Sequence, residues 1–139
     1  MIFKRTIYEK LLKWKLQSNG KTALLIEGAR RIGKSTICEE FAKNEYDSYI
    51  LINFADKKRS FTSDMKNVFE KTSDYNEFFQ ALQILTGIKL YERKSVIIFD
   101  EVQKYVPARE MIKFLVQDGR YDYIETGSLI SLKKNFRRV

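Results

Sequence analysis

The stretch "LLIEGARRIGKS", residues 24–35, joins a short apolar run to a loop that contains two glycines. Gly28 ends the apolar run, and Gly33 is followed directly by Lys34 and Ser35. The whole chain has only 6 glycines in 139 residues, so this spacing is distinctive, and it satisfies the pattern G-x-x-x-x-G-K-[ST]. The apolar run predicts a buried strand, and the helical spacing of apolar residues after the loop predicts a helix.

A loop of this kind between a strand and a helix predicts a phosphate-binding site. Glycines let backbone N–H groups approach phosphate oxygens, and the positive end of the following helix favours the same anion. We expect Lys34 to contact the β- and γ-phosphates, with a catalytic role, and the Ser35 hydroxyl to bind Mg²⁺. The alternative, a glycine turn with a solvated surface lysine, is disfavoured by the flanking elements. The predicted nucleotide-binding residues are Gly28, Ala29, Arg30, Arg31, Ile32, Gly33, Lys34, Ser35 and Thr36. We also expect Lys34 to be solvated, so that Lys34→Ala leaves the fold intact.

The stretch "SVIIFDE", residues 95–101, predicts a second part of the same site. Its apolar residues form a strand that ends at Asp100 and Glu101, and ligands bind at that end of the strands in an open parallel sheet. Asp100 is predicted to hold Mg²⁺ through its water shell, and Glu101 to polarise the attacking water. Two acidic residues at a strand end are common by themselves. Together with the loop they favour hydrolysis over phosphate transfer to a small molecule.

The stretch "ETGS", residues 125–128, ends a further predicted strand with hydroxyl side chains. We expect a hydroxyl there, on Ser128 in the first place, to contact the γ-phosphate or the attacking water. An ordinary polar turn is the alternative. Asn53 is either a structural residue at a strand end or a hydrogen-bond partner of Glu101. Weaker candidates, for an arginine supplied to a neighbouring subunit, are Arg109, Arg120, Arg137 and Arg138. Cys38 lies on an apolar helix face and is predicted to pack in the core.

Strands and helices alternate along the chain, which predicts one α/β domain over residues 1–139 with a parallel sheet covered on both faces. A first amphipathic helix is expected at about 6–17 and the nucleotide-binding core at about 22–139. Strands are predicted at 22–27, 48–56, 95–101 and 121–128. Asp74 and Glu77 are predicted to start one of the helices between them, and Pro107 and Gly119 to begin and end the last one. The residues that these helices are predicted to bury are Phe61, Met65, Val68, Phe69, Phe78, Leu82, Leu85, Met111, Phe114 and Leu115.

Composition excludes several classes of protein. The chain has no histidine and 1 cysteine, which argues against the usual zinc sites and against an internal disulfide. It has no apolar run long enough to span a bilayer and no secretory leader, so we expect a cytoplasmic protein. The net charge of +8 resides in the two ends, with six basic and one acidic residue in 1–21 and four basic residues in 130–139. Nucleic acid is therefore a weakly supported partner, and a DNA titration at two salt concentrations would test it.

The order of "GARRIGKS", "LINF", "IIFDEVQ" and "TGSL" resembles prokaryotic AAA-type P-loop ATPases that usually carry an uncharacterised C-terminal domain. The family's loop reads G-A-R-x-x-G-K-S/T, which this loop matches. Asp100, Glu101 and Gln103 match its second motif, and Gly127 with Ser128 matches its sensor. The segment with Trp14 resembles the helix before the loop. The resemblance covers nearly the whole chain.

The resemblance implies a three-layer α/β/α fold and an ATPase that uses ATP and Mg²⁺. The family sheet has five strands in the order 5-1-4-3-2, so four strands in the order 1-4-3-2 are expected here, with the fifth strand and the lid missing. Strand 1 would then be an edge open to self-association or to a protein partner, and light scattering that shows only monomers would count against this. Two other functions stay open: a nucleotide-binding switch with negligible turnover, and a nucleic-acid-associated ATPase.

Overall fold

The structure is a computed structural model that describes residues 2–28 and 33–127, and among residues 2–4 it describes the backbone alone. Helices and strands alternate along the chain for most of its length. In order they are α1 (Ile2–Ser18), β1 (Leu24–Glu27), α2 (Lys34–Glu45), β2 (Ser48–Asn53), α3 (Ser63–Lys71), α4 (Tyr75–Thr86), β3 (Ser95–Asp100), a 3-10 turn (Val102–Lys104), α5 (Val106–Asp118) and β4 (Asp122–Gly127).

The four described strands form one parallel sheet in the order β1-β4-β3-β2. The predicted α/β class and strand order are therefore confirmed. The register pairs Glu27 with Gly127, Phe99 with Glu125 and Asn53 with Asp100. Because all strands point the same way, their carboxyl ends meet at one edge of the sheet. Within the described residues β1 is an edge strand, as expected, and its association with another chain stays a prediction.

Helices cover both faces of the sheet and create two apolar cores. On one face α1 and α2 pack around Leu11, Phe41 and Ile98. On the other face α3, α4 and α5 enclose a larger aromatic cluster that includes Phe54, Phe78 and Phe99. Strand β3 lies in the middle and is buried along its whole length. This burial on both faces explains its nearly continuous apolar sequence.

Helix ends follow the predicted capping chemistry. The Asp74 carboxylate accepts the N–H of Glu77 at 2.8 Å and so caps α4. Gly119 adopts the left-handed conformation and ends α5, near whose start Pro107 lies. Helix α1 is longer than predicted, and β1, β2 and β3 are shorter than the ranges predicted for them.

Two apolar residues predicted to face inward do not. Phe114 is 47% exposed and Leu85 is 40% exposed. In α5 the buried stripe runs through Ala108, Ile112 and Leu115, which are spaced by four and three residues. Phe114 precedes Leu115 and is therefore rotated by about 100° from the stripe.

Candidate functional site

The candidate site lies where the carboxyl ends of β1, β3 and β4 meet the start of α2. Gly28 follows β1, Asp100 ends β3 and Gly127 ends β4. The N–H of Gly28 donates to the carbonyl of Gly127 at 3.3 Å, so the two strand ends are joined directly. Parallel sheets bind ligands at this edge.

Gly33 enters α2 in the left-handed backbone conformation, with φ 72°. A Cβ at this position would meet no atom of the described part of the chain within 4 Å, apart from its sequence neighbours, and the positive φ is what favours glycine here. Among the residues that the structure describes, no side chain caps the start of α2. The first N–H groups of a helix have no partner within the helix, and they favour an anion.

Lys34 is buried at the centre of the site, with 3% exposure. Its Nζ donates to the carbonyl of Gly28 at 3.0 Å and to that of Gly127 at 2.9 Å. It also lies 3.7 Å from Oε2 of Glu101. The expectation of a solvated lysine was therefore wrong, because the ammonium group joins the ends of β1 and β4.

Ser35 and Asp100, which are next to Lys34 and Glu101 in the chain, are hydrogen-bonded to each other. The Ser35 hydroxyl donates to Oδ2 of Asp100 at 2.7 Å. The other carboxylate oxygen, Oδ1, accepts a hydrogen bond from the Thr126 hydroxyl. Asp100 is only 2% exposed, and so its carboxylate is held from two sides.

Glu101 follows β3 in a left-handed conformation, with φ 55°. Few residues other than glycine adopt this angle, and it turns the chain sharply out of the strand. Its N–H donates to the Thr126 hydroxyl at 3.1 Å, and its Oε1 accepts from Nε2 of Gln103 at 2.8 Å. The carboxylate is thereby placed beside Lys34.

The structure thus brings together six residues that the sequence predicts for the site: Gly28, Gly33, Lys34, Ser35, Asp100 and Glu101. Thr36 lies exposed in the first turn of α2. The predicted residues Ala29, Arg30, Arg31, Ile32 and Ser128 lie outside the described residues. The contacts of Thr126 with both acidic residues were not predicted, because they depend on the register between β3 and β4.

Asn53 has a structural role in its own loop. Its Oδ1 accepts the N–H of Ala55 at 2.9 Å, and its own N–H donates to the Ser60 hydroxyl at 2.8 Å. These contacts favour the structural alternative over a hydrogen bond to Glu101.

Two of the candidate arginines have acidic partners. Arg109 Nε lies 3.1 Å from Oε1 of Glu125, and Arg120 Nε lies 3.3 Å from Oδ2 of Asp118. Arg137 and Arg138 lie outside the described residues. Burial raises the pKa of Glu125 to about 7, although the nearby Arg109 lowers it. The predicted burial of Cys38 is confirmed, since it is 0% exposed.

The donor atoms of the site fit a hard divalent cation. Mg²⁺ prefers oxygen ligands and is commonly bound by one or two carboxylates together with substrate phosphates. Ser35 Oγ and Asp100 Oδ2 are such oxygens and lie 2.7 Å apart. Within residues 2–28 and 33–127, no cluster of three or more Asp, Glu, Cys or His side chains could hold a metal ion.

Comparison with known families agrees with this geometry. The sequence model of the AAA domain matches residues 20–137, which is most of the chain. The chain belongs to the AAA domain family. AAA domains are nucleotide-binding ATPase modules, which in general bind ATP with Mg²⁺. No curated protein sequence is significantly similar to this AAA domain. In its described part, every helix is too short or too polar to cross a membrane.

Proposed function

We propose that this AAA domain binds ATP with Mg²⁺ and hydrolyses it. The observation that carries the proposal is the convergence of Lys34, Ser35, Asp100 and Glu101 at one edge of the sheet, within a network of direct contacts. Each belongs to a residue type that phosphate hydrolysis requires: a cation for the phosphates, oxygens for the metal, and a carboxylate base.

The phosphates would bind at the start of α2. No described side chain caps its first N–H groups, and Lys34, its first residue, carries its ammonium group to the ends of β1 and β4. This ammonium already has two carbonyl acceptors, at 2.9 and 3.0 Å. Phosphate oxygens would compete with these neutral acceptors and carry more negative charge, so the exchange favours the nucleotide.

Ser35 and Asp100 would hold Mg²⁺, which supplies charge neutralisation for the phosphates when bound. The Ser35 hydroxyl donates its proton to Asp100, so its lone pairs would be available to the metal. Asp100 would accept from a water in the metal's shell, using the oxygen that now accepts from Ser35 at 2.7 Å.

Glu101 would act as the general base. One of its oxygens accepts from Gln103 at 2.8 Å, while the other lies 3.7 Å from Lys34. A carboxylate with one oxygen held by an amide is fixed in direction, and it can still accept a proton from water on the other.

The decisive experiment compares Glu101→Gln with the parent in an assay of phosphate release with Mg²⁺-ATP. Glutamine keeps the size and one acceptor but cannot take the proton, so turnover is expected to fall roughly a hundredfold or more while ATP binding survives. Lys34→Met keeps the apolar part of the side chain and should remove most ATP binding. The matched control is Lys104→Ala, because Lys104 is an exposed lysine on the neighbouring 3-10 turn. This variant should keep the parental turnover and the parental ATP binding.

Each result leads to a different conclusion. Parental turnover in Glu101→Gln would exclude Glu101 as the base. If the parent binds ATP tightly and releases no phosphate, the protein is a nucleotide-binding switch. Undiminished ATP binding in folded Lys34→Met would exclude the loop as the phosphate site. Because Lys34 is buried, urea denaturation of that variant should accompany the assay.

A further inference from the structure

Thr126 occupies the point where the two acidic residues of the site meet. It is the last residue but one of β4 and is 0% exposed. Its hydroxyl contacts the side chain of Asp100 and the backbone of Glu101, which are consecutive residues with different proposed roles. A single buried hydroxyl thus connects both halves of the site.

The hydrogen-bonding capacity of this hydroxyl is largely used. A threonine hydroxyl has one proton and two lone pairs. The proton is donated to Oδ1 of Asp100, and one lone pair accepts the N–H of Glu101 at 3.1 Å. The proton is therefore engaged by a carboxylate and is not directed at a phosphate oxygen.

The contact with Asp100 fixes the direction of its carboxylate. Oδ1 faces Thr126, and so Oδ2 faces Ser35 at 2.7 Å. Without the hydroxyl, a buried and charged oxygen would lose its donor, and the carboxylate would rotate to find another. Such losses are more costly for charged groups than for neutral ones.

The contact with Glu101 supports an unfavourable backbone conformation. The φ of 55° at Glu101 is costly for a residue with a side chain, and it persists only where surrounding contacts hold it. The hydrogen bond from the Glu101 N–H to Thr126 is such a contact. It keeps the carboxylate of Glu101 on the side of Lys34.

We propose that Thr126 is a positioning residue that orients Asp100 toward the metal site and Glu101 toward the attacking water. It acts through these two residues and does not itself contact the phosphates. The inference rests on the proposed hydrolysis, and it assigns to this hydroxyl a role different from γ-phosphate sensing.

The test uses two substitutions that separate the hydroxyl from the shape of the side chain. Thr126→Val keeps the branched shape and removes the hydroxyl, whereas Thr126→Ser keeps the hydroxyl and removes a methyl group. For Thr126→Val we expect kcat to fall at least about tenfold and the Mg²⁺ concentration that gives half the maximal rate to rise. The affinity of this variant for ATP in the absence of Mg²⁺ should change less than about twofold. Ser should restore both kinetic quantities to within about threefold of the parent.

A purely structural role would give another pattern. Thr126→Val would then lower the midpoint of urea denaturation, while the folded fraction kept the parental kcat and Mg²⁺ dependence. That result overturns the proposal. Steeply weakened ATP binding without Mg²⁺ in Thr126→Val would also overturn it, because it would indicate direct contact with the nucleotide.

Hydrogen exchange provides a measurement that needs no nucleotide. The Glu101 amide should exchange at least about tenfold faster in Thr126→Val than in Thr126→Ser, while amides in the middle of β3 stay unchanged. Equal exchange in the two variants overturns the positioning role. If the parent hydrolyses no ATP, the proposed function fails by itself, and Thr126 is then judged by this exchange and by Mg²⁺-dependent ATP binding.

Discussion

We expect the buried carboxyl of Glu125 to make the stability of this protein depend on pH. Its side chain is 6% exposed, and it lies in β4 on the face covered by α5. Burial raises its pKa from the ordinary value of 4.5 to about 7, while the Arg109 guanidinium, 3.1 Å away, lowers it. The effect of burial is the larger one, because the carboxylate loses nearly all its water and gains one partly exposed cation.

The direction of the effect follows from proton binding. Between pH 4.5 and about 7 the folded protein keeps a proton on Glu125 that the unfolded chain has released. The contribution of Glu125 to the free energy of unfolding is therefore complete below pH 4.5 and is lost as the pH rises through about 7. The separation of the two pKa values corresponds to about 3 kcal/mol at 1.36 kcal/mol per unit.

The perturbation is Glu125→Gln, which retains the size and an acceptor for Arg109 but cannot ionise. We expect the free energy of unfolding of the variant, relative to the parent, to rise by up to about 3 kcal/mol between pH 4.5 and pH 8. Urea denaturation followed by the fluorescence of the single tryptophan, Trp14, measures this difference. Comparing two pH values removes any pH-independent cost of the substitution.

Glu110→Gln is the matched control, because Glu110 lies on the same helix as Arg109 and is exposed. Its difference from the parent should hardly change with pH. If the profiles of Glu125→Gln and the parent are parallel, the reasoning about burial is wrong. If the parent gains stability relative to the variant as the pH rises, the ion pair with Arg109 outweighs burial.

Two further predictions concern the fold. In Gly20→Ala the new Cβ, at a φ of 84°, would clash with the guanidinium of Arg93. Because that group is held by hydrogen bonds to the Gly119 carbonyl and to Asp122, it cannot move aside freely, and we expect a loss of about 1–3 kcal/mol in unfolding free energy. Gly87→Ala, with a φ of 72° and no described atom within 4 Å of the new Cβ, should cost only about 1 kcal/mol. Equal urea midpoints for the two variants would contradict the steric argument. Burial raises the pKa of Cys38 to about 12, with a smaller contribution from Asp100, so its thiol should not react with Ellman's reagent at pH 8 until urea unfolds the protein. Rapid reaction of the folded protein would show that the thiol is accessible.

The fold was largely predictable because its signals are local. A strand buried on both faces has a continuous apolar sequence, and a capped helix has its polar residue next to its first turn, so β3 and the start of α4 could be located directly. The family resemblance supplied the strand order. Phe114 and Leu85 were misplaced because a short amphipathic pattern fits two neighbouring helix faces, and only packing decides between them.

Within the site, residue identities were predictable and their contacts were not. The loop spacing indicates Lys34, and the strand end indicates Asp100 and Glu101. The contacts of Thr126 depend on a register that pairs Phe99 with Glu125. In a parallel sheet a shift by one residue moves every side chain to the opposite face. No feature of "ETGS" alone specifies this register.

The burial of Lys34 changes how nucleotide affinity should be understood. Its ammonium group is not hydrated by bulk water, because it donates hydrogen bonds to the carbonyls of Gly28 and Gly127 and lies 3.7 Å from Oε2 of Glu101. Phosphate binding would exchange these contacts for stronger ones, so the net gain is smaller than the strength of a lysine–phosphate pair. The same exchange would loosen the connection between the ends of β1 and β4 and release one side of Glu101. In the proposed mechanism, nucleotide binding and the position of the base would therefore be linked through a single side chain.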